Sequence, residues 1–315
     1  MNSIKSWLVV AGSLVAAAVL PHFLPAVVDD WAIRFATLLL IGISWNMMAT
    51  SGLISLGHSG FWGLGAYAAG LFANVSQLPF WASLLPAMAL GAVFGFLLAF
   101  ITGRLRGLFF AIATLAMAEA LRVVALMVPA LTGGAEGLFL ADHLRPHRET
   151  LTSFTLILTV AAVAISYFLS RSRYHYALRA MRDNEATVQM LGVNPARFRI
   201  GITALSGAIA AAAGMVSAWY TGYLEPGAAF DLKITISAQI APLFGGLYSV
   251  AGPVLGALAL LFVSEVTRLQ FGSTAGFGLL AYGIVLVGGV MFMPGGIVGL
   301  FRRWTGRKRA KTRSA

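Results

Sequence analysis

The residues best suited to chemistry in this sequence are two pairs of opposite charge within apolar stretches. Glu119 and Arg122 are three positions apart, as are Glu265 and Arg268. This spacing places both members of a pair on one face of a helix, where they can form an ion pair. Charges within apolar segments are costly and are often functional. We expect both pairs to be structural clamps between helices, with substrate contact as the alternative.

Uncharged polar residues also interrupt the apolar stretches. Asn46 and Gln239 lie within two of them, and His58 follows a run rich in glycine and serine. A histidine can relay protons, but a relay needs neighbouring carboxylates, so we expect His58 to cap a loop or bond a backbone carbonyl. Small residues allow helices to approach closely, and we expect this role rather than ligand binding for Ser55, Gly57, Gly60, Gly63 and Gly65.

Several catalytic and energy-converting motifs are absent from the sequence. It has no G-x-x-x-x-G-K-[ST] loop for nucleotide phosphates, and no H-E-x-x-H or G-x-S-x-G motif. No segment carries the spaced arginines of a voltage sensor or a T-V-G-Y-G filter. The absence of cysteine excludes disulfides and thiolate metal sites. We therefore expect no enzymatic activity, cofactor or metal in this chain.

The composition identifies the environment of these groups. Hydrophobic residues make up 59% of the chain and charged residues 10%, and the mean hydropathy is +0.84. No Asp, Glu, Lys or Arg occurs between Arg34 and Arg104, which the surface of a water-soluble domain could not tolerate. No run of alternating polarity suggests a β-barrel. The sequence therefore predicts an all-α polytopic membrane protein.

The charge distribution predicts how the chain is oriented. With both termini cytoplasmic, most of the 22 basic residues fall in cytoplasmic loops, as the positive-inside rule requires. The net charge of +11 then needs no nucleic acid to explain it. Residues 1–301 would form the transmembrane domain and 302–315 a basic cytoplasmic tail. About ten membrane segments are expected, at 7–28, 33–50, 59–77, 80–102, 107–128, 150–170, 199–221, 234–247, 252–268 and 276–297.

Two stretches contain residues that break helices. The run 51–60 reads SGLISLGHSG, and the stretch 245–253 reads GGLYSVAGP. Such backbone is tolerated in a membrane only where it packs against protein or lines a cavity. GLISLG and GLYSVA also share a weak similarity, and paired interruptions mark the pathway in transporters built from repeats. We therefore expect helix breaks at both places, with segment 234–247 short for a full crossing.

The most polar stretch, named here the polar segment, lies between two long apolar segments. It runs from Arg171 to Arg199 and contains six arginines, one aspartate and one glutamate. Its pattern predicts a helix over 177–191, with Gly192 just past its end and Asn194 capping the next helix. Composition alone favours a solvated loop. The alternative is a docking surface, because apolar residues accompany the arginines: Met181, Met190 and Leu191.

Several motifs in the same order resemble those of branched-chain amino-acid ABC importer permeases, and the first has the form of the M-type (LivM-like) subunit. Together they cover nearly the whole chain. They are NMMATSGLISLGHSGFWGLGAYAAG (46–70), LRGLFFAIATLAMAEALRVV (105–124), TGGAEGL (132–138), ALRAMRDNEATVQMLGVN (177–194), LFGGLYSVAGPVLGA (243–257) and FMPGGIVGL (292–300).

This resemblance implies a bacterial inner-membrane subunit that imports leucine, isoleucine and valine. The implied partners are an H-type permease, two ATPases that bind ATP and Mg, and a periplasmic binding protein. The polar segment would dock on the ATPases, although Gly192 comes one residue later than in the pattern E-A-A-x-x-x-G. The implied coupling residues are Arg179, Arg182, Asn184, Glu185 and Gly192. Polar contacts along the pathway would come from Asn46, Ser55, His58 and Gln239.

Three alternatives remain at this stage. The same architecture could import urea, short amides or another amino acid, because substrate choice would lie largely in the binding protein. An ion-coupled secondary transporter would use Glu119 or His58 for protons and need no ATPase. A passive channel would need no partner at all.

Overall fold

A computed structural model describes residues 2–23, 25–77, 79–271 and, beyond these, 280, 283–284, 287–288, 291 and 295–300. The predicted tail, 302–315, lies outside the described residues, as does most of the predicted segment 276–297. The described chain is almost entirely helical, as predicted. Its helices are α1 (Asn2–Val19), α2 (Ala26–Ala49), α3 (His58–Ser76), α4 (Leu84–Ile101), α5 (Gly107–Met127), α6 (Pro129–Thr132), α7 (Arg148–Ser170), α8 (Arg173–Asp183), α9 (Glu185–Met190), α10 (Pro195–Thr221), α11 (Pro226–Ala229), α12 (Leu232–Gly245) and α13 (Ala251–Phe271).

Six stretches of helix in the described part are long and apolar enough to cross a membrane. They confirm an all-α polytopic membrane protein, whereas the count of ten segments and the side of each terminus remain predictions. The six are Val27–Ala49, Phe80–Ile101, Gly107–Met127, Arg148–Ser170, Pro195–Thr221 and Ala251–Gln270.

The first turn between helices lies earlier in the chain than predicted. The chain turns between Leu20 and Pro25, rather than around residue 30, so Asp29 and Asp30 belong to α2. Pro25 has an extended backbone immediately before α2 and cannot continue α1, because it lacks an N–H group. Carboxylates near a helix N-terminus are favoured by the helix dipole.

The core of the bundle is built around α10, which packs against α2, α3 and α4. Small residues let these backbones approach closely. A methyl group at Gly65 would overlap the carbonyl of Ala211, and one at Gly214 would overlap the carbonyl of Trp62. The expected role of the glycines in α3 as close-packing residues is confirmed. Close packing of this kind holds membrane helices together where the hydrophobic effect does not.

The bundle has two ends with different connections. At one end the polar segment meets the α2–α3, α4–α5 and α12–α13 connections. At the other end, strand β1 (Leu138–Phe139) pairs antiparallel with β2 (Tyr223–Leu224), with Leu138 opposite Leu224. We call these the polar-segment end and the opposite end.

The polar segment contains two helices where one was predicted. The chain breaks at Asn184, whose backbone is extended (φ −158°, ψ 102°), because its side-chain oxygen caps α9 by accepting from Thr187 N at 3.2 Å. The predicted glycine after this segment's helix and the predicted cap of the next helix are confirmed. Gly192 follows α9 with φ +82°, and Asn194 caps α10, whose first residue is Pro195.

Candidate functional site

The first helix break is a non-helical stretch of chain, most of which is buried in the bundle. After α2 the chain turns at Gly52 (φ +82°) and continues without regular secondary structure to the start of α3. Trp45 Nε1 donates to the Ser55 carbonyl at 2.9 Å, and Leu56 N donates to Thr114 Oγ1 at 2.9 Å. A methyl group at residue 57 would overlap the Thr114 carbonyl. The non-helical backbone is therefore satisfied and enclosed by neighbouring helices, as such backbone in a membrane must be.

The second helix break joins α12 to α13 and is more exposed. Gly246 (φ +133°) and Tyr248 (φ +62°) both adopt left-handed backbone conformations. Ser249 closes the turn, because its hydroxyl donates to the Gly246 carbonyl at 2.8 Å and accepts from Gly252 N at 2.9 Å. Helix α12 has 14 residues and spans about 21 Å, which is short of a full crossing, as predicted.

Two of the predicted pathway residues tie the breaks to the helices. Asn46 of α2 donates from Nδ2 to the Ser249 carbonyl at 3.1 Å and accepts from Tyr248 N at 2.9 Å. Gln239 of α12 donates to the Ser55 carbonyl at 3.2 Å. The Ser55 side chain is fully buried. The breaks, which are nearly 200 residues apart in the chain, thus share hydrogen bonds with the same two helices.

His58, the fourth predicted pathway residue, lies fully buried at the start of α3. Its Nε2 lies 3.3 Å from the Ser206 hydroxyl of α10. Ser206 in turn bonds to Ser44 of α2, with their hydroxyl oxygens 3.1 Å apart. Hydroxyl groups, rather than carboxylates, are therefore its hydrogen-bonding neighbours in the described part of the chain. His58 joins α3 to α10 and α2 at the depth where the first break ends.

Arg182 connects the polar segment to both breaks. Its side chain lies against Gly52, where an added methyl group would meet Cγ of Arg182 at 3.3 Å. Its guanidinium carbon lies 4.0 Å from the centre of the Tyr248 ring, a cation–π arrangement. The side chain is only 21% exposed and also bonds to Asp183 at 3.3 Å. Movement of α8 would therefore press on both breaks at once.

Glu185 holds the polar segment to the rest of the bundle. Its carboxylate lies 2.7 Å from Arg199 Nη2 and 3.2 Å from Arg106 Nε, and its side chain is 11% exposed. Arg199 also donates to the Gly103 carbonyl at 3.3 Å. An acid bonded to two cations near the surface of the bundle is a strong anchor. Glu185 thus faces inward, and its predicted role in docking would be exerted through the position of α9.

The exposed surface of the polar segment differs from its buried side. Met190 and Leu191 are 80% and 78% exposed, whereas Met181 is buried. Arg179 is exposed beside a cavity of about 390 Å³ that Arg182 and Tyr248 also line. The polar segment therefore exposes two apolar side chains at the end of α9 and an arginine on α8, and their role in docking remains a prediction.

His175 of α8 lies partly buried near these arginines. Burial lowers its pKa below the ordinary value of 6.5, and the positive charges of Arg179 and Arg182 lower the pKa further. His175 also lines a small cavity together with Asn46 and Tyr248. The neutral form of its imidazole is thus favoured beside the second break.

Both charged pairs form the ion pairs that their spacing predicts. Glu119 and Arg122 bond on α5 with both side chains partly exposed, and Glu265 bonds to Arg268 on α13. In each pair both members lie on the same helix, and the role of both pairs as clamps between helices remains a prediction.

Sequence reasoning missed the partners that complete this site. Tyr248 contacts Arg182, Arg199 contacts the Gly103 carbonyl, and Ser206 contacts His58, each far away in the chain. An arginine in an amphipathic loop and a serine in a small-residue helix carry no local signal of such contacts. Only the weak similarity between the two breaks pointed toward Tyr248.

The sequence of this chain is similar to those of known transport permeases. Residues 27–298 match the family model described as branched-chain amino acid transport system / permease component. The chain is 29% identical to the high-affinity branched-chain amino acid transport system permease protein LivM of Escherichia coli (strain K12), over 89% of this chain and 72% of the relative. LivM of Salmonella typhimurium is 28% identical over 93% and 73%. A probable LivH permease of Methanocaldococcus jannaschii is 26% identical over 46% and 47%.

Proposed function

Because the chain belongs to the family of branched-chain amino acid transport permeases, we propose that it is the M-type permease subunit of an ABC importer in a bacterial inner membrane. In this proposal, the importer carries leucine, isoleucine and valine into the cytoplasm. The similarity to LivM over most of the chain supports the subunit type. Similarity to LivH proteins over part of the chain supports pairing with a second, related permease.

The proposal assigns energy conversion and selectivity to separate chains. Two ATPase subunits would bind ATP and Mg, since this sequence has no phosphate-binding loop. A periplasmic binding protein would deliver the amino acid and supply most of the selectivity. This chain would provide the route and would catalyse no reaction itself.

The contact of Arg182 with both helix breaks is the observation that carries the proposed mechanism. Closure of the ATPases would push on Met190, Leu191 and Arg179 at the surface of the polar segment. Because Glu185 anchors α9 to α10 and to the α4–α5 connection, the push would move α8 rather than detach it. Arg182 would then shift both breaks together. Such concerted movement is what alternating access requires.

The decisive experiment measures uptake of leucine, isoleucine and valine in cells that lack this chain. The cells are complemented with wild type, with Arg182→Glu, or with Arg173→Glu as an exposed control from the same helix. Membranes from each strain are tested for a co-purifying P-loop ATPase. We expect wild type and the control to restore both uptake and ATPase recovery. We expect Arg182→Glu to abolish uptake.

The other outcomes distinguish the alternatives. If wild type restores ATPase recovery but takes up none of the three amino acids, the ABC importer is supported and its proposed substrate is not. Uptake of urea, short amides and other amino acids would then be tested. Uptake that survives without any ATPase would overturn the ABC proposal in favour of an ion-coupled transporter. Wild-type uptake by Arg182→Glu would remove Arg182 from the mechanism.

A further inference from the structure

A cavity of about 410 Å³ lies among α2, α3, α10 and α12. Its wall on α2 includes Arg34, Thr37 and Ile41, which share one face of that helix. Arg34 and Thr37 lie in the half of α2 nearer the opposite end of the bundle, and Ile41 lies about one turn further along. The volume falls within the range of sites for small molecules.

Arg34 is the charged residue of this wall, and its charge is available. It is exposed within a membrane-crossing helix, and it makes no hydrogen bond or ion pair with any residue that the structure describes. Two acids on the neighbouring helical surface have cations of their own. Asp30, one turn before Arg34 on α2, bonds to Arg148 at 3.2 Å, and Glu265 of α13 bonds to Arg268. An arginine facing lipid would be costly, whereas one on the wall of a cavity can receive an anion there.

The other walls combine apolar surface with hydroxyl groups. Leu38, Trp62 and Ile234 provide surface for a branched hydrocarbon, and Ser217 and Ser237 provide oxygens that can accept from an ammonium group. An α-amino acid with an aliphatic side chain needs all three kinds of contact. A larger cavity of about 670 Å³ between α1 and α7 has no charged side chain among the described residues of its wall, so it suits lipid chains instead.

Three of the helices that line the cavity also carry residues at the first break. Trp62 lies one helical turn beyond His58 on α3, Ile41 lies three residues before Ser44 on α2, and Ser237 lies two residues before Gln239 on α12. His58 and Ser44 meet at Ser206, and Gln239 bonds to the first break. The cavity is therefore built on the same helices that hold the first break.

We propose that this cavity is a binding station for an aliphatic α-amino acid on its way through the permease, with Arg34 receiving the substrate carboxylate. The proposal rests on the proposed function, and it names the chemistry that recognises the substrate within this chain. Leu38, Trp62 and Ile234 then hold the side chain, and the serine hydroxyls hold the ammonium group.

The test measures binding of radiolabelled leucine to the purified permease–ATPase complex in nanodiscs, without binding protein. Leucinamide, which lacks the carboxylate, competes with the label. In wild type, leucinamide should compete about tenfold to a hundredfold less well than leucine, the value of a charge-assisted hydrogen bond. Arg34→Gln should weaken leucine binding to the level of leucinamide, so that the difference between the two ligands disappears. Arg34→Lys should restore part of it.

Two further variants control for folding and position. Lys233→Gln removes a cation next to the wall residue Ile234, but its side chain is 84% exposed, so leucine binding should stay at the wild-type level. Ser237→Phe fills the cavity without changing charge and should abolish leucine binding while the ATPase still co-purifies.

Each result decides between the proposals. Leucine binding and uptake that stay at the wild-type level in both Arg34→Gln and Ser237→Phe would overturn the binding station and leave the proposed importer intact. A wild-type complex that neither binds nor imports leucine would overturn both. Loss of the difference between leucine and leucinamide in Arg34→Gln, with Lys233→Gln unchanged, would establish the station.

Discussion

The two helix breaks of this permease have similar sequences but are held in different ways. The first is enclosed, and its backbone bonds to Trp45, Thr114 and Gln239 within the bundle. The second is partly exposed, has two left-handed residues, and depends on Asn46 and on the ring contact with Arg182. The comparison indicates that the first break is held more firmly than the second, so that a movement of α8 transmitted to both breaks would displace the second further.

The largest effect is expected from a methyl group at the enclosed break. Gly57→Ala would overlap the Thr114 carbonyl, and backbone cannot yield as a flexible side chain can. We expect a loss of stability of about 1–3 kcal/mol or more, seen as a lower melting temperature and a smaller monodisperse fraction in size-exclusion chromatography. Gly12→Ala, where no atom lies within 4 Å of the added methyl, is the control and should behave like wild type. Equal melting temperatures for the two variants would contradict the close packing of the first break.

Asn46→Leu should detach the second break from α2. The substitution removes two hydrogen bonds and leaves Tyr248 N and the Ser249 carbonyl without their partner on α2, at a cost of up to about 1–3 kcal/mol for each group. The melting temperature and the uptake rate should both fall. Gln239→Ala removes a single hydrogen bond to the first break and should lower the melting temperature less than Asn46→Leu does. A larger decrease for Gln239→Ala would contradict this prediction.

Tyr248→Leu should weaken the link between Arg182 and the second break without disturbing the first. Losing a cation–π contact of about 0.5–1 kcal/mol corresponds to a reduction in uptake of about twofold to fivefold. Tyr248→Phe keeps the ring and should transport like wild type. Because Tyr248→Leu should have no further effect in an Arg182→Ala background, a double-mutant cycle on the uptake rate checks the contact directly.

The smallest effect concerns pH. The lowered pKa of His175 means that the folded chain binds its proton less readily than the unfolded chain, so this residue stabilises the fold above pH 6.5. That contribution should be lost as the pH falls below 6.5 toward the folded-state pKa. Melting curves between pH 7.5 and about 5 should show a steeper decline for wild type than for His175→Gln. Parallel curves for the two proteins would show that His175 is not the titrating group.

Local patterns predicted much of the architecture. Apolar length predicted the crossing helices, while the dense glycines of 51–60 and 245–253 predicted the breaks. The prediction that Gly192 follows a helix end was confirmed, because a left-handed conformation just past a helix strongly favours glycine. Two predicted helix boundaries were wrong because another local preference acted there. Asn184 caps a second helix within the single helix predicted over 177–191, and Pro25 places the turn before α2 earlier than predicted.

The site depended on contacts that no local pattern encodes. Arg182 was predicted as a coupling residue through family resemblance, but its position against Gly52 and Tyr248 follows from the packing of α8 beneath two connections. Glu185 was also predicted as a coupling residue through family resemblance, but its inward orientation follows from ion pairs with Arg106 of the α4–α5 connection and Arg199 of α10. No pattern in the sequence assigned a role to Arg34, and only the packing of four helices places it on a cavity wall.

The sequence by itself determined that this protein is an all-helical membrane permease with paired helix breaks and a basic, amphipathic polar segment. Hydrophobic length, helix-breaking residues and capping residues act within a few positions of the chain, so they can be read directly. Only the tertiary structure decided which polar side chains meet. Partners such as Asn46 with Ser249 and Glu185 with Arg106 are chosen by close packing of helices far apart in sequence, and one-dimensional patterns carry no record of that packing.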